Sequence, residues 1–263
     1  MTGTYAVSDV HGHPEKLTAA LHEAGLIDTD GNWSDQDVRL WFLGDFFDRG
    51  PDGVGVLALV RRLAAQAEAG QGEVKVLLGN HEILALGMRK FGDTFVPHEG
   101  ITSRSFERSW ALNGGQDRDQ ELLSDDDVAW LLDQPMLGLD ADHLLMHSDT
   151  EEYLAWGDSI DEINATVRAE LHTDDIVVWW EIWRRMTSRY AFRGEIGPVI
   201  AAELLERLGG RRIVHGHSIV ADQLGIDPAY LTGPLLYADG LALGIDGGTF
   251  DGGPCLVVKL LPI

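Results

Sequence analysis

An α/β fold is expected for this chain, and three features of the sequence point to it. Short apolar runs rich in β-branched and aromatic residues alternate with segments of helical periodicity. Several of these runs stop abruptly at polar clusters that contain glycine. The composition, 44% hydrophobic and 24% charged over 263 residues without a low-complexity tract, gives ample core for one large domain or two small ones.

The elements follow in order. TYAV (Thr4 to Val7) reads as a buried strand and runs into Ser8-Asp9-Val10-His11-Gly12. Pro14 to Leu26 reads as a helix: proline suits the first turn, and Leu17, Ala20, Leu21 and Ala24 share one face. VRLWFL is the second strand and gives way to Gly44-Asp45, and Val54 to Ala67 repeats the helical pattern through Leu57, Val60, Arg61 and Ala64. VKVLL is the third strand, ending at Gly79-Asn80-His81-Glu82. From about Gly92 to Gly197 the character changes, with acidic runs such as Asp125-Asp126-Asp127 and six of the eight tryptophans. Mostly helical insertions are expected at roughly 92–140 and 150–197, capping the sheet on either side of the strand HLLM, which ends at His147-Ser148-Asp149. Aromatics at helical spacing usually fill a core, so Trp179, Trp180 and Trp183 are read as packing. Beyond Arg211 the chain reads as all β: RRIV running into His215-Gly216-His217, then PLLYADG, LALGIDGG and PCLVVKLL, with Asp239-Gly240 as a hairpin turn. With no internal repeat and no linker, residues 1–263 are expected to form a single domain.

Charge narrows the function classes. Twenty basic against 43 acidic residues give a formal charge of −23, which repels nucleic-acid backbone and disfavours a nuclease. An anionic substrate would have to be held by local positive charge, and bound metal is one source of it. No apolar run approaches membrane-spanning length, and the N-terminal stretch lacks the pattern of a secretory signal. A single cysteine, Cys255, rules out an internal disulfide, so a cytoplasmic location is expected.

The polar clusters sit where strands end, the edge at which loops of an open α/β sheet converge on ligands. They contribute Asp9, His11, Asp45, Asp48, Arg49, Asn80, His81, His147 and His217. Each has an ordinary alternative. Asp9 and His11 could belong to a capped turn, Asn80 could cap a helix, His147 could be a satisfied core histidine, and Asp48 could pair with Arg49. One dinuclear metal centre explains all of them together. Carboxylates, imidazoles and one amide suit divalent Mn, Fe or Zn, and the lack of cysteine argues against a closed structural zinc site.

Order and spacing resemble the calcineurin-like metallophosphoesterases, specifically the bacterial type of the phosphoprotein-phosphatase branch. The matching motifs are Ser8-Asp9-Val10-His11-Gly12, Gly44-Asp45-Phe46-Phe47-Asp48-Arg49-Gly50 and Gly79-Asn80-His81-Glu82, followed by His147 and His217. The resemblance implies a central β-sandwich flanked by helices and two divalent ions, manganese first, with Fe, Zn, Mg or Ni as alternatives. Asp9, His11 and Asp45 would hold the first ion, and Asn80, His147 and His217 would complete the second, with Asp45 bridging. Arg49 would bind the phosphate together with Asn80 and a second arginine, for which Arg193 is the candidate. Asp48 would orient His81 and hold it protonated as the general acid. Three positions depart from or extend the pattern: Ser8 in place of glycine, Asp149 after His147, and His215, read as supporting a ligand rather than acting as one. The implied activity is metal-dependent hydrolysis of phosphomonoesters, on a phosphoprotein or a small phosphorylated molecule. The alternatives are hydrolysis of a dinucleoside polyphosphate and a silent metal-binding module. No nucleic-acid or membrane partner is expected, and the oligomeric state stays open.

Overall fold

The computed structural model describes residues 3–34, 37–97 and 104–263. The chain begins with β1 (Gly3–Val7), α1 (Pro14–Glu23), β2 (Val38–Phe42), α2 (Gly53–Ala69), β3 (Glu73–Val76) and α3 (Asn80–Phe91). Next come α4 (Phe106–Leu112), α5 (Asp117–Leu122), α6 (Asp125–Leu132), β4 (Leu137–Asp140) and β5 (His143–Met146). Helices α7 (Ile160–Leu171), α8 (Ile176–Met186) and α9 (Gly197–Leu208) precede β6 (Arg212–His215), α10 (Val220–Leu224), β7 (Leu235–Tyr237), β8 (Ala242–Gly244) and β9 (Val258–Leu260).

The strands form two sheets, in the orders β3-β2-β1-β9 and β4-β5-β6-β8-β7. Strands β1, β2 and β3 are parallel, as are β5, β6 and β8, while β9, β4 and β7 run antiparallel at the edges. Alternate residues serve two cores. Ala6, Trp41, Leu145, Val214 and Leu260 meet between the sheets together with Leu43, Leu77 and Ile245. Leu40, Phe42, Leu144, Met146 and Ile213 point the other way, into the larger core beneath the helices. Both faces of each sheet are therefore covered, which explains why the strands read as continuous apolar runs.

The helices of the central segment start where the sequence provides caps. The side chains of Ser105, Ser124, Ser159 and Asp175 each accept a first-turn N–H of α4, α6, α7 and α8. Both α4 and α8 pack on α3, the helix that opens with Asn80-His81. Trp179 and Trp180 are buried in that contact, edge-on to Phe91 and Phe106, as the packing reading expected.

Three local expectations change. Leu137–Asp140, inside the first expected insertion, is strand β4, recruited as the antiparallel partner of β5. The C-terminal part is not all β, because five-residue helix α10 and single helical turns at Pro228–Tyr230 and Thr249–Asp251 intervene. These pieces are too short for periodicity to register. Strand β9 leaves its neighbours in sequence and pairs with β1 in the other sheet, Thr4 opposite Leu260. The hairpin around Asp239-Gly240 is present, joining β7 to β8 with Leu236 opposite Leu243. No described helix is long and apolar enough to cross a membrane.

Trp41 ties the sandwich together. Its ring fills the space between the sheets, and its Nε1–H donates to Asp140 Oδ2 of the opposite sheet at 2.8 Å. Arg39 Nη1 lies 2.9 Å from the other oxygen of the same carboxylate. Trp41→Ala should cost about 3–5 kcal/mol in denaturant unfolding. A loss below about 1 kcal/mol would show that the sheets do not depend on this ring.

Candidate metal and phosphate site

The parallel strands of both sheets end at a common edge, and the polar clusters of the sequence meet there. Asp9 follows β1, Asp45 follows β2, Asn80 and His81 open α3 after β3, His147 follows β5, and His217 follows β6. Hydrogen bonds stitch these ends together. His217 N–H donates to Asp9 Oδ2 at 2.9 Å, His81 N–H to Asp45 Oδ1 at 2.9 Å, and Gly216 N–H to His147 O at 2.9 Å. A Cβ on Gly216 would strike the side chains of Ser8 and Asp9, so the approach of the two sheets requires glycine there.

The backbone at this edge is strained. Asp9, His11, Asp45, Asp48, Arg49 and His217 have φ of 54°, 45°, 59°, 66°, 65° and 63°. Left-handed geometry costs a non-glycine residue roughly 1–2 kcal/mol. Such a concentration is typical of sites where side-chain direction outranks local comfort.

Among the described residues, two groups of side chains could hold a metal ion: His11, Asp45 and His81, and Asp45, His147 and His217. Asp45 belongs to both. Its Oδ2 is buried and has no hydrogen-bond partner, 3.6 Å from His11 Nε2. Its Oδ1 lies 3.3 Å from His147 Nε2. Asp9 Oδ1 approaches His11 Nε2 at 3.9 Å, which brings the remaining expected ligand to the first group.

The imidazoles are prepared as ligands. His11 Nδ1–H donates to Phe47 O at 2.9 Å and His147 Nδ1–H to Leu43 O at 2.8 Å, leaving both Nε2 lone pairs facing inward. His217 donates through Nε2–H to Thr187 O at 3.2 Å, which turns Nδ1 inward. His147 Nε2 then meets Asn80 Oδ1 at 2.9 Å, two lone pairs directed at one another. An orphaned carboxylate oxygen and opposed lone pairs fit a pair of divalent cations. Burial keeps the imidazoles neutral: His11 and His217 lie well below the usual histidine range, and His147 is also lowered. Burial pushes the Asp45 carboxyl well up, aided by the charges of Asp9 and Glu82. Burial also pushes Asp9 upward, but His147, His11 and the Ser8 and His217 donors outweigh it and leave the group lowered.

His81 differs from the other histidines. Its Nδ1 forms a 2.7 Å bond with Asp48 Oδ2, and Arg49 Nη2 lies 3.3 Å from its Nε2. A guanidinium beside Nε2 competes with a cation for it, and Arg49 and His81 meet at the edge of the first group. Burial, then Arg49 and His147, hold His81 well below the usual range. Burial pushes Asp48 up to about 8, against the Trp110 donor and Arg49. Burial of both partners disfavours separate charges across this short bond. Phe250 stacks on the Arg49 guanidinium, 4.2 Å to the ring centroid, and stands edge-on to His11.

Several supporting residues have roles that the sequence left open or missed. Glu82, buried at the start of α3, accepts from Asp45 N, Phe46 N and Gly79 N at 2.7–2.8 Å and locks the second motif to the third. Asp149 belongs to neither group. Its oxygens take Ser218 Oγ at 2.6 Å and Tyr190 N at 2.9 Å, clamping the loop after α8. His215 bonds the Tyr237 hydroxyl at 2.8 Å and the Gly216 carbonyl at 2.8 Å, which makes it a support for the His217 loop. Asp246, just beyond β8, is buried at the same edge, and burial and the Asp9 charge push it well up. The apolar run before Asp246-Gly247-Gly248 was the sequence sign for it. Arg193 is not among the converging residues. It contacts Gln223 O at 3.3 Å, lies over the Tyr190 ring and lines a separate cleft with Phe192 and Tyr237. A second arginine, Arg189, lies near enough for its charge to reach His81, His147, His217 and Asp246, behind Arg49 at His81 and Asp246. Tyr190, with φ of 72°, reverses the chain between the two arginines.

If Asp45 joins both groups, Asp45→Asn should lower bound divalent metal below that of the unmodified chain in elemental analysis after manganese loading and desalting. Undiminished metal would remove Asp45 from the shared position.

Comparison with known proteins places this geometry. The calcineurin-like phosphoesterase family model matches residues 4–221. Shewanella-like protein phosphatase 2 of Arabidopsis thaliana is 35% identical over 112 residues, covering 42% of this chain and 28% of that protein. A symmetrical bis(5'-nucleosyl)-tetraphosphatase of Photorhabdus laumondii subsp. laumondii is 31% identical over 147 residues, 54% of this chain and 42% of that protein. The matched stretches thus span less than half of either relative. The cold-active protein-tyrosine phosphatase of a psychrophilic Shewanella species shares the fold, with a TM-score of 0.71 at 23% identity over 98% of this chain and 74% of that one. Since the family model spans well over half of the 263 residues, this chain belongs to the calcineurin-like phosphoesterase family.

Proposed function

We propose that the protein is a metal-dependent phosphoesterase that hydrolyses phosphomonoesters, on a phosphoprotein or a small phosphorylated molecule. One observation carries this reading: two His/Asp groups share Asp45, and Arg49 reaches the His81 edge of the first. When bound, two divalent cations supply Lewis-acid neutralisation of the phosphoryl oxygens and acidify the attacking water. Asp9, His11 and Asp45 would hold one and Asp45, Asn80, His147 and His217 the other, with manganese the first choice for this mixed N/O set.

The chain's own residues do the rest. Arg49 offers a planar fork to the phosphoryl oxygens, with the Phe250 ring against one face of the guanidinium. Arg189 takes the place first given to Arg193 as the second positive group. As water oxygen bonds to phosphorus and the ester P–O bond breaks, the departing oxygen keeps the electron pair and takes a proton from His81 Nε2. Asp48 holds the ring in position through Nδ1. The helical segments at roughly 92–140 and 150–197, less β4, are read as caps over this edge, and the lone Cys255 supports a cytoplasmic location.

Hydrolysis of a dinucleoside polyphosphate is the second reading. It is favoured by the tetraphosphatase relative and by Phe250, an aromatic face at the site on which a base could stack.

Phosphate release from p-nitrophenyl phosphate, phosphoserine, phosphothreonine and phosphotyrosine peptides and diadenosine tetraphosphate, each with manganese and with EDTA, separates the readings. Metal-dependent peptide turnover supports the first, preference for the dinucleotide the second, and no turnover contradicts both. His81→Asn should retain its metal yet lose on the order of 10²–10⁴ in kcat. Parallel loss of metal and activity would instead make His81 a ligand. Arg189→Ala should raise KM for a phosphomonoester more than Arg193→Ala does, and the reverse order would restore Arg193 to the phosphate.

A further inference from the structure

The helical segment after α3 does more than cover the site. Trp110, in α4, is only 5% exposed, and its Nε1–H donates to Asp48 Oδ1 at 2.9 Å. The other oxygen of that carboxylate holds His81 Nδ1 at 2.7 Å. Just after α4, Gly114 O accepts from Arg49 N at 2.7 Å. Gly115 lies so close to the Trp110 ring that any Cβ there would strike it. One short stretch therefore grips Asp48 and Arg49, consecutive residues with left-handed backbone that belong to neither helix nor strand. The same helix packs on α3, which carries His81, so both partners of the Asp48–His81 bond are referenced to α4.

We infer that Trp110 is a positioning residue for the proton donor: its indole N–H fixes the plane of the Asp48 carboxylate, and that carboxylate fixes the direction of His81 Nε2. The inference rests on the phosphoesterase reading. Loss of the indole donor leaves Asp48 Oδ1 without this buried partner and frees the carboxylate to rotate, so that the imidazole is aimed less well. The consequence falls on the step in which the departing oxygen takes its proton. An ester with a good leaving group needs that proton little. An ester of phenol, whose pKa of about 10 resembles that of tyrosine, needs it much more.

The test is Trp110→Phe, which keeps a ring in the packed position and removes only the donor. On phenyl phosphate, kcat should fall about tenfold or more, whereas on p-nitrophenyl phosphate it should fall much less. KM and bound metal should stay as in the unmodified chain. An equal fall on both substrates, or no fall on either, overturns the positioning role. Failure of the unmodified chain to turn over either ester would instead overturn the phosphoesterase reading. A second measurement does not depend on the folding of Trp110→Phe. In the ¹H–¹⁵N spectrum the Trp110 indole resonance should move clearly upfield in Asp48→Asn, as the charge-assisted bond is lost, and an unmoved resonance overturns the inference.

Discussion

The structure depends on one electrostatic constraint: buried carboxylates have been brought together at the edge where two sheets meet. Asp9, Asp45, Asp48, Glu82 and Asp246 are all buried there, in a chain whose formal charge is already −23. Burying a charge without a partner is costly, and like charges side by side raise the cost further. Part of the answer is built into the backbone. Glu82 takes three main-chain N–H groups, Asp9 takes the His217 N–H and Asp45 Oδ1 takes the His81 N–H. Asp48 takes the Trp110 indole N–H and lies 2.7 Å from His81 Nδ1. What the protein does not neutralise is Asp45 Oδ2, and neutral imidazoles with inward lone pairs surround it. Divalent cations would complete the charge balance.

The sandwich exists to hold that edge. Trp41 and its cross-sheet bond to Asp140 fix one sheet against the other, and the His147 bond to Leu43 O links the sheets again at the site itself. Because the candidate ligands come from the ends of strands in both sheets, the separation of the sheets sets the separation of the two His/Asp groups. Helix α3 then adds Asn80 and His81 from its first turn, and α4 and α8 press α3 into place.

The strand ends were legible because each apolar run stops at a residue type that a core does not explain. The three motifs, with His147 and His217, named the candidate ligands before any distance was known, and the six residues expected around the metals are brought together. The parts that were not legible depend on contacts distant in sequence or on the direction of a side chain in a loop. Trp110 lies 62 positions from the carboxylate that it holds. The direction of Arg193, over the Tyr190 ring and against Gln223 O, follows the left-handed Tyr190 held by Asp149, and no periodicity reports such a reversal. Strand β4 was hidden inside a helical segment, and β9 crosses to the other sheet, because both derive their structure from a partner rather than from their own few residues.

The most direct test of the central claim is anomalous diffraction at the manganese edge from crystals grown with that metal. The account requires two peaks, one beside Asp9 and His11 and one beside Asn80, His147 and His217, with an Asp45 oxygen near both. A single peak, or density centred on His81 Nε2, would contradict it.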